Sequence, residues 1–151
     1  MSAPIVAVAA IVYDPQGRVL LVERGKPPGE GLWTVPGGRL EATETLAQGV
    51  AREVREETGM IVEVGALACV VERIGDDHHF VILDYVARAI GGELAASSDA
   101  RAAKWVDEGE LQHLPLTEGL QDVLARARNS HATWFSPRGS CSPVGSLARP
   151  R

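Results

Sequence analysis

Along residues 5–13 the chain reads Ile-Val-Ala-Val-Ala-Ala-Ile-Val-Tyr, a run of short and β-branched apolar side chains that Asp14-Pro15-Gln16-Gly17 ends with turn chemistry. The apolar pattern resumes over 19–23, which predicts a hairpin. A Gly- and Pro-rich loop over 25–31 follows, then a short strand over 32–35 stopped by Pro36-Gly37-Gly38. From Thr43 the period changes: Leu46, Ala47, Val50, Ala51 and Val54 recur at helical spacing. One helix is expected at about 44–58, with Thr43 as its N-cap and Gly59 as its stop. Two strands follow at 61–74 and 79–90, parted by Gly75-Asp76-Asp77, and Gly91-Gly92 ends the second. A loop carrying Asp99 leads to a short strand at Lys104-Trp105-Val106. The last helix is expected over 116–128, with Leu120, Val123, Leu124 and Ala127 on one side.

This pattern describes one domain over 1–128. Residues 129–151 hold ten Ser, Pro or Gly among 23 and no periodicity, and they read as a flexible tail. At 151 residues, 45% apolar and 23% charged, the chain can build one core without disulfides or a structural metal. No apolar run reaches the roughly 18 residues of a membrane span, and no signal segment opens the sequence. Cys69 in an apolar stretch and Cys141 in a polar tail have neither metal spacing nor the setting of a bridge. A cytoplasmic, reduced protein with no membrane partner is expected.

Charge narrows the partners. The net charge is −5, and the tail arginines 138, 149 and 151 account for 3 of the 15 basic residues, which leaves 12 basic against 20 acidic, or −8, over 1–128. Such a body does not suit the phosphate backbone of nucleic acid, and a small anionic ligand would need help from metal cations.

The helix at 44–58 breaks local rules. Stepping about 100° per residue from Leu46, Val50 and Val54 lie on the apolar face, while Glu53 falls near about −20°, Glu57 near about +20° and Glu56 near about −80°. Three carboxylates therefore crowd one edge of the buried stripe. They are like-charge pairs at i,i+3 and i,i+4, each unfavourable by roughly 0.2–0.5 kcal/mol. They also stand in the last turns, where the helix dipole favours cations. A divalent cation reverses these signs, and all-oxygen ligation suits Mg²⁺ or Mn²⁺.

Gly38, five residues, Glu44, seven residues, and then Arg52-Glu53-Val54-Arg55-Glu56-Glu57-Thr58-Gly59-Met60 together resemble the Nudix box over 38–60, and Trp33-Thr34-Val35-Pro36-Gly37 is similar to the family's approach to it. The resemblance implies an α/β fold, an α/β/α sandwich around a central mixed β-sheet. It implies Mg²⁺-dependent hydrolysis of a nucleoside diphosphate linked to another moiety. Glu53 and Glu57 match the principal metal ligands and Glu56 a further one, and a carbonyl of Gly37 or Gly38 completes the shell. Arg52 matches the residue that orients the carboxylates, and Glu44 one that supports the loop and helix. The base that takes the water proton comes from the box helix or from a later loop, where Asp99 is the candidate.

The stretch from Asp84-Tyr85 through Gly91-Gly92-Glu93-Leu94 to Lys104-Trp105-Val106 is similar to prokaryotic ADP-ribose pyrophosphatase-like members, although Ala102 stands where relatives often carry Glu. ADP-ribose or a similar nucleotide sugar is the expected substrate, with Trp33, Arg39 and Tyr85 as candidates for binding it. The alternatives are a pool sanitiser acting on oxidised nucleoside triphosphates and a non-catalytic nucleotide sensor. A homodimer is an expectation of the resemblance alone. His78-His79 lacks a third ligand and reads as solvated, and Gly25-Lys26-Pro27 is not a phosphate loop.

Overall fold

The computed structural model of the chain describes residues 3–97 and 100–134. Its elements in order are β1 (Ile5–Tyr13), β2 (Val19–Arg24), β3 (Trp33–Thr34), β4 (Gly37–Arg39), α1 (Leu46–Thr58), β5 (Met60–Ile74), β6 (His79–Gly92), β7 (Ala100–Val106), α2 (Glu108–Leu111) and α3 (Leu120–Trp134). The described strands form one mixed sheet in the order β3-β2-β1-β6-β5, with β4 paired to β1 and β7 to β2. β1 and β6 run parallel from Ile5 opposite Phe80 to Tyr13 opposite Arg88, and the other pairs are antiparallel.

The continuous apolar run of β1 has its reason in this topology, because a strand buried on both faces needs no polar side. Ala9, Ile11 and Tyr13 face the core under α3, where Val123, Leu124 and Ala127 pack. Val8, Ala10 and Val12 face the opposite core, under Val50 and Val54 of α1. The sheet thus lies between helices, the sandwich the resemblance implied.

Several elements depart from the sequence expectation. The 5–13 and 19–23 strands meet only at Tyr13 opposite Val19, next to a turn where Asp14 Oδ1 accepts from the backbone N–H groups of Gln16 and Arg18. Farther along they part, because β4 takes the edge of β1 and β7 takes the edge of β2. Gly37-Gly38, expected as a stop, is itself strand. A Cβ on Gly37 would lie 2.5 Å from the Val8 carbonyl oxygen and 2.8 Å from Ala9 Cβ, so glycine is what lets β4 close on β1.

The last helix begins at Leu120 rather than 116. The Trp33 N–H donates to the Pro115 carbonyl and the Thr117 N–H to the Trp33 carbonyl, which ties the expected first turn to β3 instead. The helix then runs past 128 to Trp134, so the segment read as tail begins as helix. The short α2, capped by Asp107 Oδ1 accepting from the Glu110 N–H, had too few residues to show a period.

Gly59 ends α1 with φ 75°, and a Cβ there would collide with the Glu93 carbonyl oxygen. Left-handed backbone alone costs a non-glycine residue about 1–2 kcal/mol. Gly59→Ala is therefore expected to lower the unfolding free energy by at least that amount, read as a shifted midpoint in urea denaturation with an unchanged slope.

Candidate functional site

The start of α1 fixes where its acidic residues fall. Thr45, not Thr43, is the N-cap: its hydroxyl oxygen accepts from the Gln48 N–H at 3.1 Å, and Gln48 Oε1 accepts from the Thr45 N–H at 2.8 Å. Thr43 stands earlier in the turn with φ 69°. At Gly49 an added Cβ would lie 2.7 Å from Leu40 Cδ1 and 3.0 Å from Glu44 Oε1, so the helix lies tight against the preceding loop. That contact brings Glu44 beside Arg52.

Arg52 gathers the carboxylates. Its Nε and one terminal nitrogen donate to the two oxygens of Glu44 at 2.9 and 2.6 Å. The other terminal nitrogen donates to Glu53 at 2.8 Å and Glu56 at 3.2 Å, and the Arg39 carbonyl also accepts from the guanidinium, at 3.1 Å. A planar fork suits such paired contacts, and no lysine could make them all. The side-chain hydrogen bond from Arg52 holds the Glu44 carboxyl down at about 2. The Arg52 proton is held above its ordinary value chiefly by the same bond. The folded protein keeps Glu44 ionised down to about pH 2, so the stability this pair contributes is whole above the ordinary Glu pKa of about 4.5 and is lost as pH falls from there through about 2.

Of the three helix carboxylates, two lie against the Gly37-Gly38 strand. Glu53 is 12% exposed, and a Cβ on Gly38 would fall 2.6 Å from its Oε1, so only glycine leaves the carboxylate this place. Glu57 Oε2 accepts from the Gly37 N–H at 3.3 Å. Glu56 turns outward at 60% exposure. Among the described residues no three His, Cys, Asp or Glu side chains form a closed metal cage. The residues fit a hard divalent cation nonetheless. Two oxygen donors on a glycine edge leave coordination positions for water and phosphate oxygens, as Mg²⁺ prefers.

Beside this edge opens a cavity of about 390 Å³, within the range of small-molecule sites. Gly37, Gly38 and Glu57 lie at one part of its wall, and Arg24, Lys26 and Arg73 supply positive charge in an otherwise acidic body. Its sheet floor carries Asp84, 4% exposed, whose carboxyl accepts from the Cys69 thiol at 3.7 Å. Burial pushes Asp84 up to about 6, against the opposing pull of the Cys69 bond and of Arg73. The Cys69 thiol rises to about 11, first by burial and then by the Asp84 charge.

The binding candidates expected from sequence do not line this cavity. Trp33 is buried in the core under α3, with Lys104 Nζ 4.8 Å from its ring centre. Tyr85 follows Asp84 in β6, so strand alternation turns it to the α1 side. Arg39 is exposed, with its guanidinium 5.6 Å from the Phe80 ring centre. Asp99 lies outside the described residues. Sequence reading missed Arg24, Lys26 and Arg73, which no motif marks. Asp84 did leave a signal, as the sole charge in the run Phe-Val-Ile-Leu-Asp-Tyr-Val-Ala.

A family model described as the NUDIX domain matches residues 3–127. The chain is 36% identical over 113 residues to the ADP-ribose pyrophosphatase of Methanocaldococcus jannaschii, an alignment covering 74% of this chain and 66% of that protein. It is 39% identical over 93 residues to the 8-oxo-dGDP phosphatase of Mus musculus, covering 62% of this chain and 28% of that protein. It therefore spans just under two thirds of the first relative and less than a third of the second. The crystal structure of the MutT NUDIX hydrolase from Burkholderia pseudomallei superposes with a TM-score of 0.74 at 32% identity, covering 83% of this chain and 98% of that one. With the family pattern spanning most of its length and α1 carrying Glu53 and Glu57 to one Gly-Gly edge, this chain belongs to the Nudix family.

Proposed function

We propose that the chain hydrolyses the diphosphate of a nucleoside diphosphate linked to a second moiety, with ADP-ribose or a similar nucleotide sugar as substrate and Mg²⁺, or Mn²⁺, as cofactor. The observation that carries this reading is the seating of Glu53 and Glu57 on Gly37-Gly38 at a cavity whose wall also holds Arg24, Lys26 and Arg73. The similarity to the archaeal ADP-ribose pyrophosphatase supports the substrate class.

When bound, the cation would neutralise phosphate charge and make water a better nucleophile. Glu53 and Glu57, a carbonyl of Gly37 or Gly38, and from the outer side Glu56 would hold it. Arg52 and Glu44 act behind them: the guanidinium keeps Glu53 in place, and Glu44 keeps the guanidinium in place. The arginines and lysine of the wall orient the diphosphate oxygens. In the reaction water adds to one phosphorus, the bridging P–O bond breaks, and one water proton passes to a carboxylate. Glu53, Glu56, Glu57 and the loop residue Asp99 are the candidates for that base.

A second reading, sanitation of oxidised guanine nucleotides, is favoured by the similarity to the mouse 8-oxo-dGDP phosphatase. A non-catalytic sensor is the weaker reading, since every carboxylate of the box is present.

Product analysis with Mg²⁺ separates these. ADP-ribose is expected to yield AMP and ribose 5-phosphate, whereas pyrophosphate released from 8-oxo-dGTP would establish the sanitation reading. Glu57→Gln is expected to keep the melting midpoint and lose about 10²–10⁴-fold in turnover; unchanged turnover would remove Glu57 from the site. Because α3 continues to Trp134, the informative truncation removes 135–151 and leaves the helix whole. Full activity of that shortened chain is expected if the tail serves only as a linker, and lost activity would assign it a part in the site or in a dimer.

A further inference from the structure

Asp84 is a carboxyl with no evident structural reason to be where it is. It lies in the middle of β6, 4% exposed, and lines the cavity. Buried carboxylates are normally matched by a cation or by several N–H donors. Among the described residues this one forms no ion pair, and its one hydrogen bond comes from a thiol, a weak donor, at 3.7 Å. Arg73, a cation on the same cavity wall, has its own bond, from Nη2 to the Glu118 carbonyl. The carboxyl is thus left with acceptor capacity facing the space a ligand would fill.

Its position relative to the acidic edge is fixed by register. Ala9 of β1 stands opposite Gly37 of β4 on one side and opposite Asp84 of β6 on the other. Residues in register across a sheet share a face, and Ala9 belongs to the core face under α3. Two strand spacings separate Gly37 from Asp84, about 10 Å. That is the scale of a ribose phosphate linking a base to a diphosphate. Around Asp84 the wall is apolar, made of Ala9, Val71, Ile82 and Val123, which suits the face of an aromatic base. The other acidic lining residues are less enclosed, Glu23 half-buried and Glu118 exposed, while Glu57 is at the Gly37 edge.

We infer that Asp84 is the base-reading residue of this cavity, accepting an exocyclic amino N–H of a purine whose diphosphate lies at the Gly37-Gly38 edge. This rests on the nucleotide-hydrolase reading, but only on the nucleotide part of it. Adenine and guanine both carry such an amino group; hypoxanthine carries none and sets an oxygen or a bare carbon there. A buried acceptor facing that analogue is left unpaired, which is how a polar site rejects it.

The test is calorimetric titration of the full chain, in Mg²⁺, with AMP, GMP and IMP. At least one amino purine is expected to bind about ten-fold or more tighter than IMP. Where AMP is preferred, Asp84→Asn keeps the shape but adds an N–H donor that hypoxanthine O6 can satisfy. Where GMP is preferred, Asp84→Ala removes the acceptor of its amino group. The variant matched to the preferred base is expected to bring the ratio within about three-fold. Equal binding of all three nucleotides by the wild type, or an unchanged ratio in the variant matched to the preferred base, would overturn the assignment. Should Asp84→Asn not fold, Asp84→Ser and the wild-type ratio decide in the same way. An amino preference in a chain that leaves ADP-ribose intact would sustain the base assignment and refute the substrate reading. Hydrolysis of ADP-ribose without that preference would do the reverse.

Discussion

The Arg52 guanidinium is the contact around which the acidic edge is built. Glu53, Glu56 and Glu57 stand within one turn of each other at the end of α1 that the dipole makes unfavourable for anions, and Glu44 is folded in beside them. One delocalised cation that donates to Glu44, Glu53 and Glu56 offsets part of that repulsion, and its contact with the Arg39 carbonyl ties the helix to β4. A cluster of negative charge can then persist in the folded protein before any cation arrives. Helix and strand are also kept at a separation that only the missing side chain of Gly38 allows.

The sheet converts this local arrangement into a site. Because β1 is buried on both faces, α1 and α3 pack on opposite sides of the same strand, and residues one apart in sequence serve different cores. Glu57 meets the strand edge at Gly37, and the cavity spreads from there under α3, away from the face that α1 covers. The acidic edge and Asp84 are thereby built from different elements and stand on either side of β1. The positive side chains on the cavity wall set an anion-attracting patch into a protein body whose balance is negative.

Much of this was legible in the chain. The run of β1, the 61–74 and 79–90 strands, the helix with carboxylates on its buried edge and the glycine at its end are local patterns, and local patterns are carried by neighbouring residues. So was the grouping of Glu53, Glu56 and Glu57, which helix spacing fixes, while Glu44 and Arg52 joined them through the resemblance to the Nudix box. What the sequence did not show is which way its few aromatics face. Trp33 and Tyr85 are aromatic and near the motifs, yet one is buried in the core and the other alternates to the far face.

By itself the sequence determined the family, the carboxylate make-up of the acidic edge and the apolar run of β1, because each depends on side-chain type at fixed local spacing. Tertiary structure alone decided that Gly37-Gly38 is a strand rather than a stop and that the first hairpin opens to admit β4 and β7. It alone brought Asp84, Arg24, Lys26 and Arg73 around one cavity. These contacts join residues tens of positions apart, and strand register, which no single segment encodes, is the physical reason they meet.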